Sequence, residues 1–176
     1  MNTLDCIYKR ISVRNYTDTP VEDDKLNVII GAGLQAPTAM NSRDIVLTVV
    51  RGKILQAINQ AMQDAMTPEQ QERFTQNGKF NFYRGGNALI VVSLGAKSVM
   101  PEQNTGCIME NMYLAATELG LGSCWINQFY SFTNDKIRSL LRLESGYKPY
   151  AALSVGYAAD VQVVMRERDG KIVFLD

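Results

Sequence analysis

The chain of 176 residues is 46% hydrophobic, enough for the core of one domain over residues 1–176, which excludes disordered and fibrous classes. Lysine plus arginine and aspartate plus glutamate number 18 each, so the chain lacks the overall basic field that attracts nucleic acid or membrane surfaces. Because no apolar run approaches membrane-spanning length and no signal pattern opens the sequence, we expect a cytoplasmic protein with neither nucleic-acid nor membrane partners.

Hydrophobic periodicity predicts helices and strands that alternate along the chain. Helices are predicted where apolar residues recur at helical spacing behind a capping residue: one carrying Leu4, Ile7 and Tyr8, then Glu22–Leu34, Lys53–Met66, a short one opening at Thr67, Glu102–Leu119 and Asn134–Leu141. Strands are predicted at the apolar runs Ile45–Val50, Ala88–Leu94, Ser123–Ile126, Tyr150–Gly156 and Ile172–Leu175, and a turn at Asn77-Gly78. The last strand has no neighbour close in sequence, which makes it a candidate for pairing with another chain.

The chain contains no histidine, and its three cysteines are Cys6, Cys107 and Cys124. Without histidine, triad hydrolases, zinc enzymes and histidine acid–base catalysis are all disfavoured. An odd number of cysteines without a Cys-x-x-Cys spacing favours reduced thiols in the cytoplasm. We therefore expect no metal site and no catalytic side chain, so that a cofactor would supply any chemistry.

The most informative stretch is the tract Arg10-Ile11-Ser12-Val13-Arg14, called the first tract below. In an extended backbone its two arginines and its serine project to one side, while Ile11 and Val13 project to the other and would anchor it in the core. This pattern predicts a clamp for a phosphate-bearing ligand. Taken by itself, the tract is also compatible with a solvated amphipathic edge.

Three further segments are candidates for ligand binding. In the loop 35–43, Asn41 offers a donor and an acceptor to a pyrimidine-like ring edge, or else bonds its own backbone. Arg166 and Arg168 would place two guanidinium groups on one face of an extended segment, or else form a solvated charge run. Gly120-Leu121-Gly122 closes a helix instead of opening one, which argues against a Rossmann fingerprint, and Trp125 beyond it is expected in the core.

The order of these motifs resembles the FMN-dependent nitroreductase family. The resemblance spans nearly the whole chain and rests on five motifs in the family's order: Arg10-x-Ser12-x-Arg14, Ala36-Pro37-Thr38-x-x-Asn41, Asn111-Met112-x-Leu114-Ala115-Ala116-x-x-Leu119-Gly120-Leu121-Gly122, Gly156-Tyr157 and Arg166-x-Arg168. It implies an α+β fold with a central mixed, mostly antiparallel sheet flanked by helices. It also implies an intertwined homodimer with FMN at the interface and exchange of the C-terminal strand.

The resemblance further implies a role for each segment at the flavin. Contacts to the phosphate, the ribityl chain and the pyrimidine edge would come from Arg10, Ile11, Ser12 and Arg14, and further phosphate contacts from Arg166 and Arg168. Contacts from the partner subunit would come from Pro37, Thr38, Ala39 and Asn41. The backbone beside the reactive flavin nitrogen would be that of Trp125, Ile126 and Asn127.

The implied reaction is ping-pong hydride transfer from NAD(P)H through FMN to a small-molecule acceptor such as a nitroaromatic or a quinone. Two alternatives of other kinds stay open: a flavin-binding sensor or storage protein without turnover, and an unrelated α+β domain that binds another phosphate ligand. A specialised relative is a third, acting as a dehalogenase, a heterocycle dehydrogenase or a flavin-fragmenting enzyme.

The sequence departs from the family pattern at two places. Asn41-Ser42-Arg43-Asp44 stands where many relatives have Asn-x-Gln-Pro, which leaves the role of the charged pair in ring recognition open. The segment between Val50 and Ala88 is short, so we expect the substrate side of the flavin to be open or to be bordered by residues 74–84.

Overall fold

The chain forms an antiparallel sheet with helices on both faces, in a computed structural model that describes residues 2–127, 129–160 and 169–175. The helices are α1 (Thr3–Lys9), α2 (Asp23–Leu34), α3 (Gly52–Asp64), α4 (Pro68–Glu72), α5 (Pro101–Glu118), α6 (Phe129–Phe132) and α7 (Asp135–Leu140). The strands are β1 (Ile45–Arg51), β2 (Thr75–Gln76), β3 (Lys79–Phe80), β4 (Ala88–Leu94), β5 (Gly122–Ile126) and β6 (Lys148–Gly156). A single turn of 3₁₀ helix occupies Ala39–Asn41.

The main sheet has the strand order β1-β4-β6-β5, and all its pairings are antiparallel. Strand β4 is buried along its whole length, and its side chains alternate between two cores. Ile90 and Val92 face the core formed with α2 and α5, whereas Leu89 and Val91 face the core formed with α3 and α7. Alternation with a period of two, on a strand covered on both faces, explains why its sequence is apolar throughout.

The two edges of the main sheet differ in their hydrogen bonding. At the outer edge of β5, Ser12 forms a parallel bridge with Ser123, and Val13 N–H donates to the Ser123 carbonyl at 2.9 Å. The predicted α+β fold with a mostly antiparallel sheet flanked by helices is confirmed, and the isolated bridge is the parallel contact at this edge. Within the described residues the outer edge of β1 pairs with no strand.

Most of the predicted elements are confirmed to within two residues, and at three of the helices the predicted end signal is a capping group. The Asn2 side chain caps α1, Thr67 caps α4 and Asn134 caps α7. Asn77 and Gly78 have φ values of 50° and 72°, which is the backbone of a tight hairpin turn, here between β2 and β3. None of the helices within the described ranges has the length and apolarity that a membrane crossing needs.

Several elements differ from the predictions, among them the two-residue strands β2 and β3, of which only the connecting turn was predicted. Helix α6 was not predicted, because a single turn of four residues is too short to leave a periodic signal in the sequence. The predicted strand Ile172–Leu175 is not formed in the single chain, where these four residues take no regular secondary structure and are 61–92% exposed. A strand needs an edge to pair with, so the part of this prediction that concerns a second chain stays a prediction.

Candidate functional site

The first tract is held in extended form along the edge of β5. Besides the bridge to Ser123, its position depends on Gly122, because a Cβ at this glycine would lie 2.9–3.0 Å from the side-chain carbons of Val13. The missing side chain therefore gives Val13 its place against the strand. Gly122 is therefore needed for the close packing of Val13 on β5.

We expect Gly122→Ala to displace the first tract, because overpacking of this kind costs about 1 to 3 kcal/mol when neighbours must move. Thermal unfolding should show a lower midpoint for the variant. Adding Val13→Ala to the same chain removes Cγ1 and Cγ2, two of the three carbons that the new methyl group would meet, so the double variant should recover part of the loss. A Gly122→Ala midpoint equal to that of the wild type would contradict the close packing.

The first tract forms one wall of an open groove of about 630 Å³. The opposite side is formed by the β2–β3 hairpin, and the groove is lined by Ile11, Ser12, Val13, Arg14, Asn15, Gln76, Asn77 and Asp160. Ile11 and Val13 are only half-buried and line the groove, so the prediction that both anchor the tract in the core is wrong. The reason is that the tract follows a sheet edge, where neither face is fully covered.

Tyr113 of α5 connects the first tract to β5. None of the sequence motifs pointed to this residue. Its ring is 2% exposed, and its hydroxyl lies 3.1 Å from Ser12 Oγ and accepts a hydrogen bond from Trp125 N–H at 3.0 Å. The Arg10 guanidinium carbon lies 4.8 Å from the ring centroid, and Arg10 Nε lies 3.8 Å from Glu110 Oε1. Arg10 therefore packs on Tyr113 instead of lining the groove.

Two guanidinium groups give this side of the sheet a positive potential near Cys124. Burial raises the pKa of the Cys124 thiol, while Arg14 and Arg84 both oppose that rise. Burial lowers the pKa of Arg84, whose guanidinium lies 4.8 Å over the Phe74 ring, and the like charge of Arg14 acts in the same direction. Arg84 is thus a second cation close to Arg14, at the end of the segment 74–84, which the sequence predicts to border the substrate side if that side is not open.

The end of β5 borders a second cavity, of about 180 Å³. Trp125 and Asn127 line it together with residues of α5, α6 and β6, among them Thr105, Tyr130 and Tyr150. The Tyr130 and Tyr150 rings stack at 5.4 Å. Ile126 is buried in the core on the other face, so only its backbone can take part in binding. Trp125 is half-buried rather than fully in the core, and its indole Nε1 is buried with no hydrogen-bond partner in the described residues.

The loop that carries Pro37, Thr38, Ala39 and Asn41 lines neither cavity. Ala39 N–H donates to Asn104 Oδ1 at 2.8 Å, which fixes the loop near the start of α5. The Asn41 side-chain oxygen accepts from Arg43 Nε at 2.7 Å, a bond within the loop itself. A single chain therefore does not bring this loop to the first tract, and Arg166 and Arg168 lie outside the described residues.

Asp44, one of the residues that departs from the family pattern, fastens the loop to the main sheet. Its carboxylate accepts from the Tyr147 hydroxyl at 2.7 Å and from Lys97 N–H at 3.0 Å, and its carbonyl accepts from Gly95 N–H at 2.9 Å. A Cβ at Gly95 would lie 2.2 Å from the Asp44 carboxylate, so the glycine is required by this close approach. The sequence left open whether Asp44 takes part in ring recognition. Its hydrogen bonds give it a structural role.

The two hydrogen bonds hold the pKa of Asp44 below its ordinary value of 3.8, the Tyr147 hydroxyl having the larger effect. A carboxyl with a lowered folded-state pKa stabilises the fold above its ordinary pKa and loses that contribution as the pH falls through the folded value. Asp44→Asn should therefore lower the unfolding midpoint at neutral pH. The difference from the wild type should shrink below about pH 4 in thermal melts. A difference that stays constant over that range would contradict this assignment.

The chain is similar to several known proteins in sequence and in fold. The model of the nitroreductase family matches residues 7–157. A protein of Archaeoglobus fulgidus with the provisional name NADH dehydrogenase/NAD(P)H nitroreductase is 29% identical over 163 residues, which are 89% of this chain and 86% of that protein.

Two solved structures share the fold over their whole length. A nitroreductase with bound FMN from Bacteroides fragilis has a TM-score of 0.86 at 29% identity, with 100% of both chains covered. A nitroreductase with bound FMN from Desulfitobacterium hafniense has a TM-score of 0.84 at 22% identity, again with 100% of both chains covered, a likeness that concerns the fold alone. Since the family match covers most of the sequence, this chain belongs to the nitroreductase family.

Proposed function

We propose that the protein is an NAD(P)H-dependent FMN oxidoreductase of the nitroreductase type. The observation that carries this proposal is the open groove along the first tract, where the hydroxyl of Ser12 and the guanidinium of Arg14 lie on one wall. A hydroxyl donor and a cation fit a flavin phosphate or the carbonyl edge of the ring, and the groove is wide enough for a ligand of that size.

The residue roles follow the direction of the first tract. Ser12, with Arg10 beside it on Tyr113, holds the phosphate and ribityl end, and Arg14 faces the flavin ring. Arg166 and Arg168 add phosphate contacts; Asp160, six residues before Arg166, lines the same groove. The backbone of Trp125, Ile126 and Asn127 lies beside the reactive part of the ring, with the second cavity next to it.

The active form is a homodimer in which each site needs both subunits. The loop 37–41 does not line the groove of its own chain and would complete the groove of the partner. The first tract occupies the outer edge of β5, whereas the outer edge of β1 pairs with no strand in the described residues. The exposed tail Ile172–Leu175 would therefore add a strand to β1 of the partner.

Bound FMN supplies the redox chemistry, taking a hydride from NAD(P)H and passing reducing equivalents to a small-molecule acceptor such as a quinone or a nitroaromatic. The protein contributes binding and orientation, and no side chain has to act as acid or base, which suits a chain without histidine. The whole chain, residues 1–176, forms one FMN-binding domain. The three cysteines are free thiols, which favours a cytoplasmic location.

Quinone-dependent oxidation of NADH and NADPH by the purified, FMN-loaded protein tests this function. We expect steady-state turnover with at least one of the two nucleotides. Bound flavin without any turnover, with nitroaromatic acceptors also tried, would favour a sensor or storage protein instead. A protein that takes up no flavin would contradict the proposal altogether.

A further inference from the structure

We infer that Tyr113 is a positioning residue for the flavin phosphate: it orients the Ser12 hydroxyl toward the groove and holds the Arg10 side chain beside the first tract. This inference rests on the proposed FMN site and concerns how that site recognises the phosphate. Tyr113 does not line the groove, so it would act through the two residues that it contacts.

The direction of the hydrogen bonds around Tyr113 can be worked out. Trp125 N–H has to donate, so the Tyr113 oxygen accepts from it at 3.0 Å. Burial raises the pKa of the Tyr113 phenol, so the hydroxyl keeps its proton. Because Tyr113 is only 2% exposed, the proton of its hydroxyl needs an acceptor within the protein. Ser12 Oγ lies 3.1 Å from the hydroxyl oxygen. Tyr113 therefore donates to Ser12.

This direction leaves the proton of the Ser12 hydroxyl free to point elsewhere. Ser12 is exposed and lines the groove, so its hydroxyl can donate to an anion bound there. A serine that had to donate to Tyr113 would instead present only lone pairs, which repel a phosphate oxygen. The phenol thus converts Ser12 into a donor toward the groove.

The ring of Tyr113 restricts Arg10 at the same time. The guanidinium carbon lies 4.8 Å from the ring centroid, and Arg10 is 19% exposed. Stacking on an aromatic face reduces the freedom of a long cation, so less entropy is lost when it meets a phosphate. Tyr113 also holds Trp125 N–H of β5, so one side chain links the phosphate end of the site to the strand beside the flavin ring.

The test compares the affinities of the wild type and of Tyr113→Phe for FMN and for riboflavin, which lacks the phosphate. Phenylalanine keeps the ring under Arg10 but removes the proton donor to Ser12. We expect the dissociation constant for FMN to rise about fivefold to tenfold, the size of one ordinary hydrogen bond, and that for riboflavin to change little. In a Ser12→Ala background the same substitution should have a much smaller effect on FMN, because the two residues act in series.

Tyr157→Phe is the matched control, since its hydroxyl is bonded to Glu22 and Lys25 at the start of α2, away from the groove. It should leave the ratio of the FMN and riboflavin affinities unchanged. An equal loss of both affinities in Tyr113→Phe would show a purely structural role and overturn the inference, as would no loss at all. If Tyr113→Phe does not fold, Ser12→Ala replaces it in the test. An FMN-to-riboflavin affinity ratio that is unchanged in Ser12→Ala would also overturn the inference, because Tyr113 acts through Ser12. A wild type that binds neither flavin would overturn the proposed function itself.

Discussion

Deletion of residues 169–176 should convert the proposed dimer into a monomer that no longer retains FMN. In the single chain the side chains of Ile172, Val173, Phe174 and Leu175 are 79%, 61%, 86% and 92% exposed, which is unusual for four consecutive apolar residues. Burying a side chain of this kind contributes about 1.5 to 3 kcal/mol, and a dimer would bury two such tails. Without the dimer, the loop 37–41 of one subunit could not reach the groove of the other.

Sedimentation velocity of the deletion variant, with the flavin-to-protein ratio measured on the same sample, checks this result. Lys171→Gln is the control, because it alters the same tail but keeps its apolar residues, and it should remain a dimer with bound FMN. A deletion variant that stays a flavin-loaded dimer would refute the role of the tail. A folded wild-type monomer that binds FMN would refute the shared site.

Arg14→Ala should have the second-largest effect, a loss of FMN affinity of about tenfold to a hundredfold. Arg14 is the one arginine of the first tract that lines the groove, and its charge acts on both Cys124 and Arg84. A hydrogen bond to a charged group contributes about 1.5 to 3 kcal/mol, which corresponds to that range of affinities. Titration of the apoprotein, followed by quenching of flavin fluorescence, measures the change.

Two further variants separate the causes of this loss. Arg14→Lys keeps the charge but not the planar pair of donors, so an intermediate affinity is expected. Lys136→Ala removes a charge that is paired with Asp64 on the surface, away from the groove, and FMN affinity should not change. If Arg14→Ala binds FMN as tightly as Lys136→Ala does, Arg14 does not contact the flavin.

The layout of the sheet and helices could be predicted because the decisive signals are local. The apolar run of β4, the capping residues Asn2, Thr67 and Asn134, and the Asn77-Gly78 turn each specify their own backbone. The groove was predictable in part for the same reason, since the alternation of polar and apolar residues in the first tract is visible in the sequence. The exposure of Ile11 and Val13 could not be predicted, because it depends on which residues cover the edge of β5.

The features that escaped prediction depend on contacts between distant segments. Tyr113 looks like an ordinary residue of a core helix, and only its contacts with Ser12 and Trp125 reveal its place in the site. One signal was available, since a buried tyrosine hydroxyl needs a partner. The sequence left the role of Asp44 open, and only its bonds to Tyr147 and Lys97, which are distant in the sequence, show that role.

Titration of the flavin-free protein with FMN, with riboflavin as the comparison ligand, tests the central claim most directly. Our account predicts saturation at one FMN per chain, with FMN bound far more tightly than riboflavin, because the donors of the groove are directed at a phosphate. Equal affinity for the two flavins, or no saturable binding of FMN, would contradict it.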